Sequence, residues 1–274
     1  MAAPGLIGRD SELGVLTRLI DRVTESGASI VVLGDPGIGK TSLLRAAAEH
    51  GRSAGHQVLA TTGIEAEAHL PFAGLHHLLR PVLSKVNRLP ATQREALSTA
   101  FGISEGLPPE PFMIALATLN LLAEVAADRP VVMVVDDVQW LDPPSQDVLT
   151  FLARRVSGDP IVLIGVVRKG HDITFAAAGL PELDLLGLDE ASARAVLGRH
   201  AVDLSYADTE RILREAAGNP LALVELPLAI RAAGGGGLAA PLNVLPLTAR
   251  MASGSSTRAS GLPAASRRIR SVSA

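Results

Sequence analysis

The sequence predicts an α/β fold: three layers, α/β/α, around a parallel sheet, followed by a small helical subdomain. Three observations predict it. An apolar β-type run at residues 29–33 passes through Gly34-Asp35-Pro36-Gly37-Ile38-Gly39-Lys40-Thr41 into the helix-like stretch that starts at Ser42. A second unbroken apolar run, Val131-Val132-Met133-Val134-Val135, ends in Asp136-Asp137. Beyond about Leu180 the pattern becomes helical only. Apolar runs without alternation read as strands buried on both faces, the signature of a parallel sheet.

The elements follow in order. Residues 10–26 place Leu13, Leu16, Leu19, Ile20 and Val23 on one helical face, with Asp10 or Ser11 available as a cap. The glycine loop and its helix come next, then a strand at residues 57–62 and a long helical region at 72–86 broken by Pro81. Pro108, Pro109 and Pro111 mark a loop, and residues 112–127 read as an Ala/Leu helix that delivers the chain to the strand before Asp136. Pro143 and Pro144 open another helix that closes at Ser157-Gly158, and residues 160–167 form the next buried strand. Strand alternating with helix is the pattern of a doubly covered parallel sheet. Helices are then predicted at 189–200, 206–217 and 221–233, the last opened by Gly218-Asn219-Pro220. Gly234 to Gly237 reads as a flexible connector. The predicted organisation is an α/β domain over residues 1–180, a helical lid over 181–233 and a flexible, arginine-containing tail over 234–274.

The glycine loop carries the chemistry. It fits G-x-x-x-x-G-K-[ST], and it lies between a strand and a helix as a phosphate-binding loop must. Glycines let backbone N–H groups turn inward on a phosphate, and the helix N-terminus adds partial positive charge. Lys40 is expected to reach the outer phosphates and the Thr41 hydroxyl to ligate Mg²⁺. Only three of the 25 basic residues are lysines, so the one in the motif does not reflect a lysine-rich surface. Carboxylates at the C-terminal end of a buried parallel strand sit where open α/β sheets place ligands. Asp136 is therefore assigned to the Mg²⁺ shell and Asp137 to polarising the attacking water. The fold class is thus a P-loop NTPase three-layer sheet.

Composition narrows the setting. Hydrophobic residues make up 47% against only seven aromatics, so the core must be Ala, Leu and Val. Without cysteine there are no disulfides and no Cys-ligated zinc, which fits a reducing cytoplasm. The N-terminus lacks a signal-peptide pattern, and no window reads as reaching the eighteen or so apolar residues of a spanning helix, so no membrane partner is expected. Charge is uneven: no acidic residue follows Glu225, while six arginines do. Such a basic tail could touch nucleic acid, but a solvated tail is the commoner outcome.

Further motifs carry a resemblance. Leu6-Ile7-Gly8-Arg9-Asp10-Ser11-Glu12-Leu13 resembles the N-terminal signature of STAND-type ATPases, a signalling branch of the AAA+-like P-loop proteins. Glu65-Ala66-Glu67, the stretch from Leu70-Pro71-Phe72 to Arg80-Pro81, Asp136-Asp137-Val138-Gln139-Trp140-Leu141-Asp142 and Gly218-Asn219-Pro220-Leu221 together resemble the ATPase region of large LuxR-family transcriptional regulators. The likeness runs over residues 6–248. It implies ATP or ADP with Mg²⁺ as ligands and a nucleotide-driven switch that hydrolyses slowly. Gly8 and Arg9 would lie against base and ribose. Gly34, Asp35, Pro36, Gly37, Ile38, Gly39, Lys40, Thr41 and Ser42 would hold the phosphates. Pro220 would pack on the adenine, and Arg168 matches a sensor arginine that reads the γ-phosphate.

The resemblance also implies self-association through the ATPase domain. Members usually continue into a winged-helix segment, a helical repeat array and a DNA-binding helix-turn-helix. The last two have no counterpart here, while residues 261–268 resemble the opening of a winged helix. A truncated member that does not itself bind DNA is the expectation. Two other readings stay open: a degenerate nucleotide-binding fragment without turnover, and a P-loop enzyme such as a kinase, for which no acceptor pocket or arginine-bearing lid is legible. Trp140 is assigned to packing with Gln139, and the adjacent His76 and His77 cannot share a helix face as zinc ligands would.

Overall fold

The computed structural model describes residues 6–171, 174–175, 178–201 and 204–232. The chain separates into two units, Met1–Gly235 and Gly236–Ala274. The second unit lies outside the described residues, and with it the glycine connector, the arginine-containing tail and the stretch at 261–268.

Five parallel strands form one sheet: β1 (Ala28–Gly34), β2 (Gln57–Thr62), β3 (Val131–Asp136), β4 (Ile161–Arg168) and β5 (Glu182–Leu185), in the order β2-β3-β4-β1-β5. This is the parallel α/β architecture that the apolar runs predicted. β3 is buried at every position and β4 at every position but Arg168, as strands covered on both faces should be. Successive side chains go to opposite layers. Val132, Val134, Ile164 and Val166 pack against Leu16 and Ile20 of α1 (Asp10–Asp21) and Leu43 and Ala47 of α2 (Lys40–Ser53). Met133, Val135 and Leu163 face the other way, toward α3 (Ala73–Leu79), α5 (Pro111–Asp128) and α6 (Pro143–Ala153). Full burial of a Leu- or Val-sized side chain is worth about 1.5–3 kcal/mol, so these two layers dominate the cohesion of the sheet.

Three expectations and one omission need correction. The region past Leu180 is not purely helical, because β5 pairs with β1; it is four residues long and alternates Glu-Leu-Asp-Leu, too short and polar to register as a buried run. The helical region at 72–86 splits into α3 and a 3-10 stretch, Arg80–Arg88, with Pro81 in its first turn where a missing N–H costs nothing. A helix passed over in the sequence, α4 (Ala91–Ala100), follows Pro90. Finally, α5 is 18 residues long with a mean hydropathy of 1.4, long and apolar enough to cross a membrane by composition. It covers the sheet instead: Ile114, Ala117, Leu121, Leu122 and Val125 are buried, while Glu124 and Asp128 lie on its outer side.

After β5 come α7 (Glu190–His200), α8 (Tyr206–Ala216) and α9 (Pro220–Ala232), with α7 and α8 both packed on α9. Asp189 and Ser205 cap α7 and α8 by accepting from the backbone N–H of Ser192 and Asp208. Ala217 and Gly218, at φ 46° and 76°, end α8 in left-handed conformation and turn the chain into α9.

Candidate functional site

The C-terminal edges of the central strands assemble the site. Gly34 of β1 lies in register with Arg168 of β4, and Asp136 ends β3 on the other side of β4. Between β1 and α2 the chain turns through Gly37 and Gly39, at φ 76° and 99°, conformations that cost a side-chain-bearing residue about 1–2 kcal/mol. No side chain caps the start of α2. Its first N–H groups thus remain available at the positive end of the helix dipole, as an anion site requires.

Lys40 is 7% exposed, and its Nζ donates to the carbonyl oxygens of Gly34 at 2.9 Å and Asp35 at 2.8 Å. Burial pushes the ammonium below its ordinary pKa, against the opposing pull of Asp137. The Thr41 hydroxyl donates to Asp136 Oδ2 at 2.6 Å. Asp136 is 6% exposed, and burial raises its pKa although the Thr41 hydrogen bond works the other way. An oxygen pair of this kind, a hydroxyl and a buried carboxylate held in contact, has the hard-donor chemistry that Mg²⁺ selects.

Asp137 begins a 3-10 turn in left-handed conformation, φ 47°. Its carboxylate accepts from Arg168 Nε at 3.1 Å and Nη2 at 3.2 Å, and from Gln139 Nε2 at 2.8 Å. Gln139 Oε1 in turn accepts from the Arg168 backbone N–H at 3.2 Å. Gln139 is therefore a bridge between the predicted water-polarising acid and the predicted sensor, not mere packing. Trp140 does pack, edge-on against His171 with ring centroids 5.5 Å apart.

On the far side of the loop, Arg9 is 3% exposed; it donates to Glu12 at 2.8 Å, to the Ile38 carbonyl at 3.0 Å and to the Leu186 carbonyl at 2.7 Å. It thereby ties the loop to the segment after β5. Gly8, at φ 66°, leaves no space for a Cβ because Ser192 of α7 sits directly against it. A cavity of about 180 Å³ opens here, lined by Ile7, Arg9, Ile38, Ser42, Pro220 and Val224. Arg199 and His200 of α7 also line it, and nothing in the sequence signalled them.

The phosphate loop and α9 are bonded together. Asn219 Nδ2 donates to the Pro36 carbonyl at 2.9 Å, and the Leu221 N–H donates to the Gly37 carbonyl at 3.3 Å. A Cβ on Gly37 would stand 2.7 Å from Leu221 Cβ, so glycine is demanded by proximity as well as by φ. Asn219 drew no separate notice in the sequence, since its neighbour Pro220 held the recognisable place.

The family model of the AAA ATPase domain matches residues 5–164, more than half of the chain. The chain belongs to the AAA ATPase domain family. Among curated proteins, the chain is 28% identical over 229 residues to an uncharacterized protein of Rhizobium meliloti, covering 70% of the chain and 21% of that protein. It thus spans about a fifth of that relative's length. Its fold resembles that of the Drosophila ORC bound to DNA, at 14% identity and a TM-score of 0.51, over 85% of this chain and 58% of the other. A STAND protein with a tetratricopeptide repeat sensor from Pyrococcus horikoshii matches at 18% identity and a TM-score of 0.48, over 81% and 30%. At such identities the likeness to Drosophila ORC speaks for the fold alone.

Proposed function

We propose that this AAA ATPase domain binds ATP or ADP with Mg²⁺ and hydrolyses ATP slowly, as the STAND-type switch module of a LuxR-family transcriptional regulator. The observation that carries the reading is the Thr41–Asp136 hydrogen bond of 2.6 Å beside the uncapped start of α2. The backbone N–H groups from Gly37 to Ser42 bind phosphate, and Lys40 exchanges its carbonyl partners for phosphate oxygens. Thr41 and Asp136 would hold Mg²⁺, which supplies charge neutralisation on the phosphates. Arg9 and Pro220 line the 180 Å³ cavity assigned to the nucleoside, and Gly8 lies in the chain between the lining residues Ile7 and Arg9.

Slow turnover is supported by Asp137. Its carboxylate is engaged by Arg168 and Gln139, so polarising a water requires Arg168 to move off it. A γ-phosphate offers Arg168 a competing anion, which makes the exchange differ between ATP and ADP. A difference of that kind is what a ligand needs in order to shift a conformational population. The bonds from α9 to the loop give the change a route into the helices.

The test is Mg²⁺-dependent binding of ATP, ADP and GTP to the purified chain, followed by single-turnover hydrolysis of each nucleotide that binds. Adenine-nucleotide binding with turnover in minutes or slower is expected. Binding without turnover would favour the degenerate module, and no binding at all would overturn the proposal.

A further inference from the structure

We propose a second ligand site, for a small organic cation, in the cavity between α3, α5 and α6. This cavity has a volume of about 430 Å³ and is separate from the phosphate loop. Its walls are the rings of Phe72, Phe112 and Phe151 and the prolines Pro109, Pro111 and Pro144. The volume falls in the lower range of ligand pockets, which are typically about 300–1,000 Å³.

The charge of the cavity selects the occupant. Asp147 is the sole ionisable residue among those lining it, it is exposed, and it forms no ion pair or hydrogen bond among the described residues. Glu110, between two of the lining prolines, is also exposed and does not cap α5. The face of an aromatic ring carries the negative lobe of its quadrupole, and the exposed Asp147 carboxylate adds formal charge; together they favour an apolar cation over a neutral or anionic ligand. One ring of the wall already holds a cation, because the Arg155 guanidinium lies 3.8 Å from the centroid of Phe151, so the contacts to a ligand fall to Phe72, Phe112 and Asp147. Phe112 meets Phe151 edge-on at 5.9 Å and is 62% exposed, leaving its ring open to a ligand.

The wall is also held in place. Phe72 adopts φ 61°, a conformation rare for an aromatic residue. It is kept there by Asp142, which is 2% exposed and accepts from the Phe72 N–H at 2.8 Å, the Gly74 N–H at 3.0 Å and the Ser145 N–H at 2.9 Å. Strain of this sort persists only where the surroundings over-determine it, and here it presents a ring to a cavity.

The experiment titrates the full chain with benzyltrimethylammonium, with benzyl alcohol as the neutral control and phenylacetate as the anionic one, read by ligand-observed NMR. Saturable binding of the cation, at least tenfold tighter than benzyl alcohol, with none of phenylacetate, is expected. Asp147→Asn and Phe112→Ala, both exposed positions outside the phosphate site, should each weaken the cation at least fivefold while circular dichroism stays unchanged. Equal affinity for benzyl alcohol, an unchanged affinity in Asp147→Asn, or no binding of the cation would each overturn the proposal.

Discussion

Replacing Asp136 by asparagine should make the nucleotide-free protein more stable and insensitive to magnesium. The carboxylate is 6% exposed, with Asp137 as a like-charged neighbour, and burial raises its pKa. The sign follows from proton linkage. The folded state keeps the Asp136 proton at pH values where the unfolded chain has lost it, so stability is lost as pH rises from the ordinary aspartate value of 3.8 through the folded pKa. Asparagine keeps the volume and can still pair with the Thr41 hydroxyl, while the buried charge disappears. Relief of this kind at a functional site is worth on the order of 1 kcal/mol. For a unit of this size that raises the melting temperature by about 2–4 °C. In the wild type, Mg²⁺-ATP at about 100 times its Kd should add roughly 2.7 kcal/mol, or about 5–11 °C. Thermal melts with and without Mg²⁺-ATP, at neutral pH and near pH 4, test both halves. The asparagine variant should gain most at neutral pH, little near pH 4, and should lack the Mg²⁺-dependent shift. A variant that melts lower at neutral pH, or that keeps the full Mg²⁺-ATP shift, would refute the reasoning.

The other predictions concern the same loop. Lys40→Ala should weaken ATP and ADP by about 10- to 140-fold, since a charged hydrogen bond is worth about 1.5–3 kcal/mol; calorimetry showing unchanged affinity would mean the glycine loop is structural only. Asp137→Asn should leave nucleotide affinity within about threefold and slow single-turnover hydrolysis by about 100-fold or more, the lower range for loss of acid–base help; unchanged turnover would remove Asp137 from the chemistry. Asn219→Ala should cost about 1 kcal/mol, because it removes both the Pro36 bond and the acceptor for the Leu221 N–H at 3.0 Å, and it should speed hydrogen exchange in α9 and the phosphate loop together. Faster exchange in α9 alone would show that the loop holds its shape without it.

What the sequence made legible is what neighbouring residues decide between themselves. The glycine loop is one contiguous stretch whose φ demands and lysine position are local, and the β3 run declares its burial through five apolar residues before Asp136. Features created by distant parts of the chain were not legible. Gln139 acquires its bridging role only because β4 brings Arg168, 29 positions away, to its side chain. Asn219 meets Pro36 across 183 positions. β5 is a strand by virtue of β1 beside it, since Glu-Leu-Asp-Leu has no strand signal of its own strength. The hydropathy of α5 was underread for the opposite reason: Thr118, Asn120 and Glu124 break the apolar run by eye without lowering its average enough.

The strand order β2-β3-β4-β1-β5 has a consequence during synthesis. β1, which feeds the phosphate loop, is flanked by β4 and β5, neither of which begins before residue 161. At about 5–20 residues per second, a ribosome leaves that apolar strand without either neighbour for roughly 6–25 seconds after making it. Through that interval Ile30, Val31 and Val32 are a sticky unpaired segment, open to chaperones and to other nascent chains. Synonymous codons that slow translation between residues 35 and 160 should therefore lower the yield of soluble protein while leaving the sequence, and the final fold, untouched.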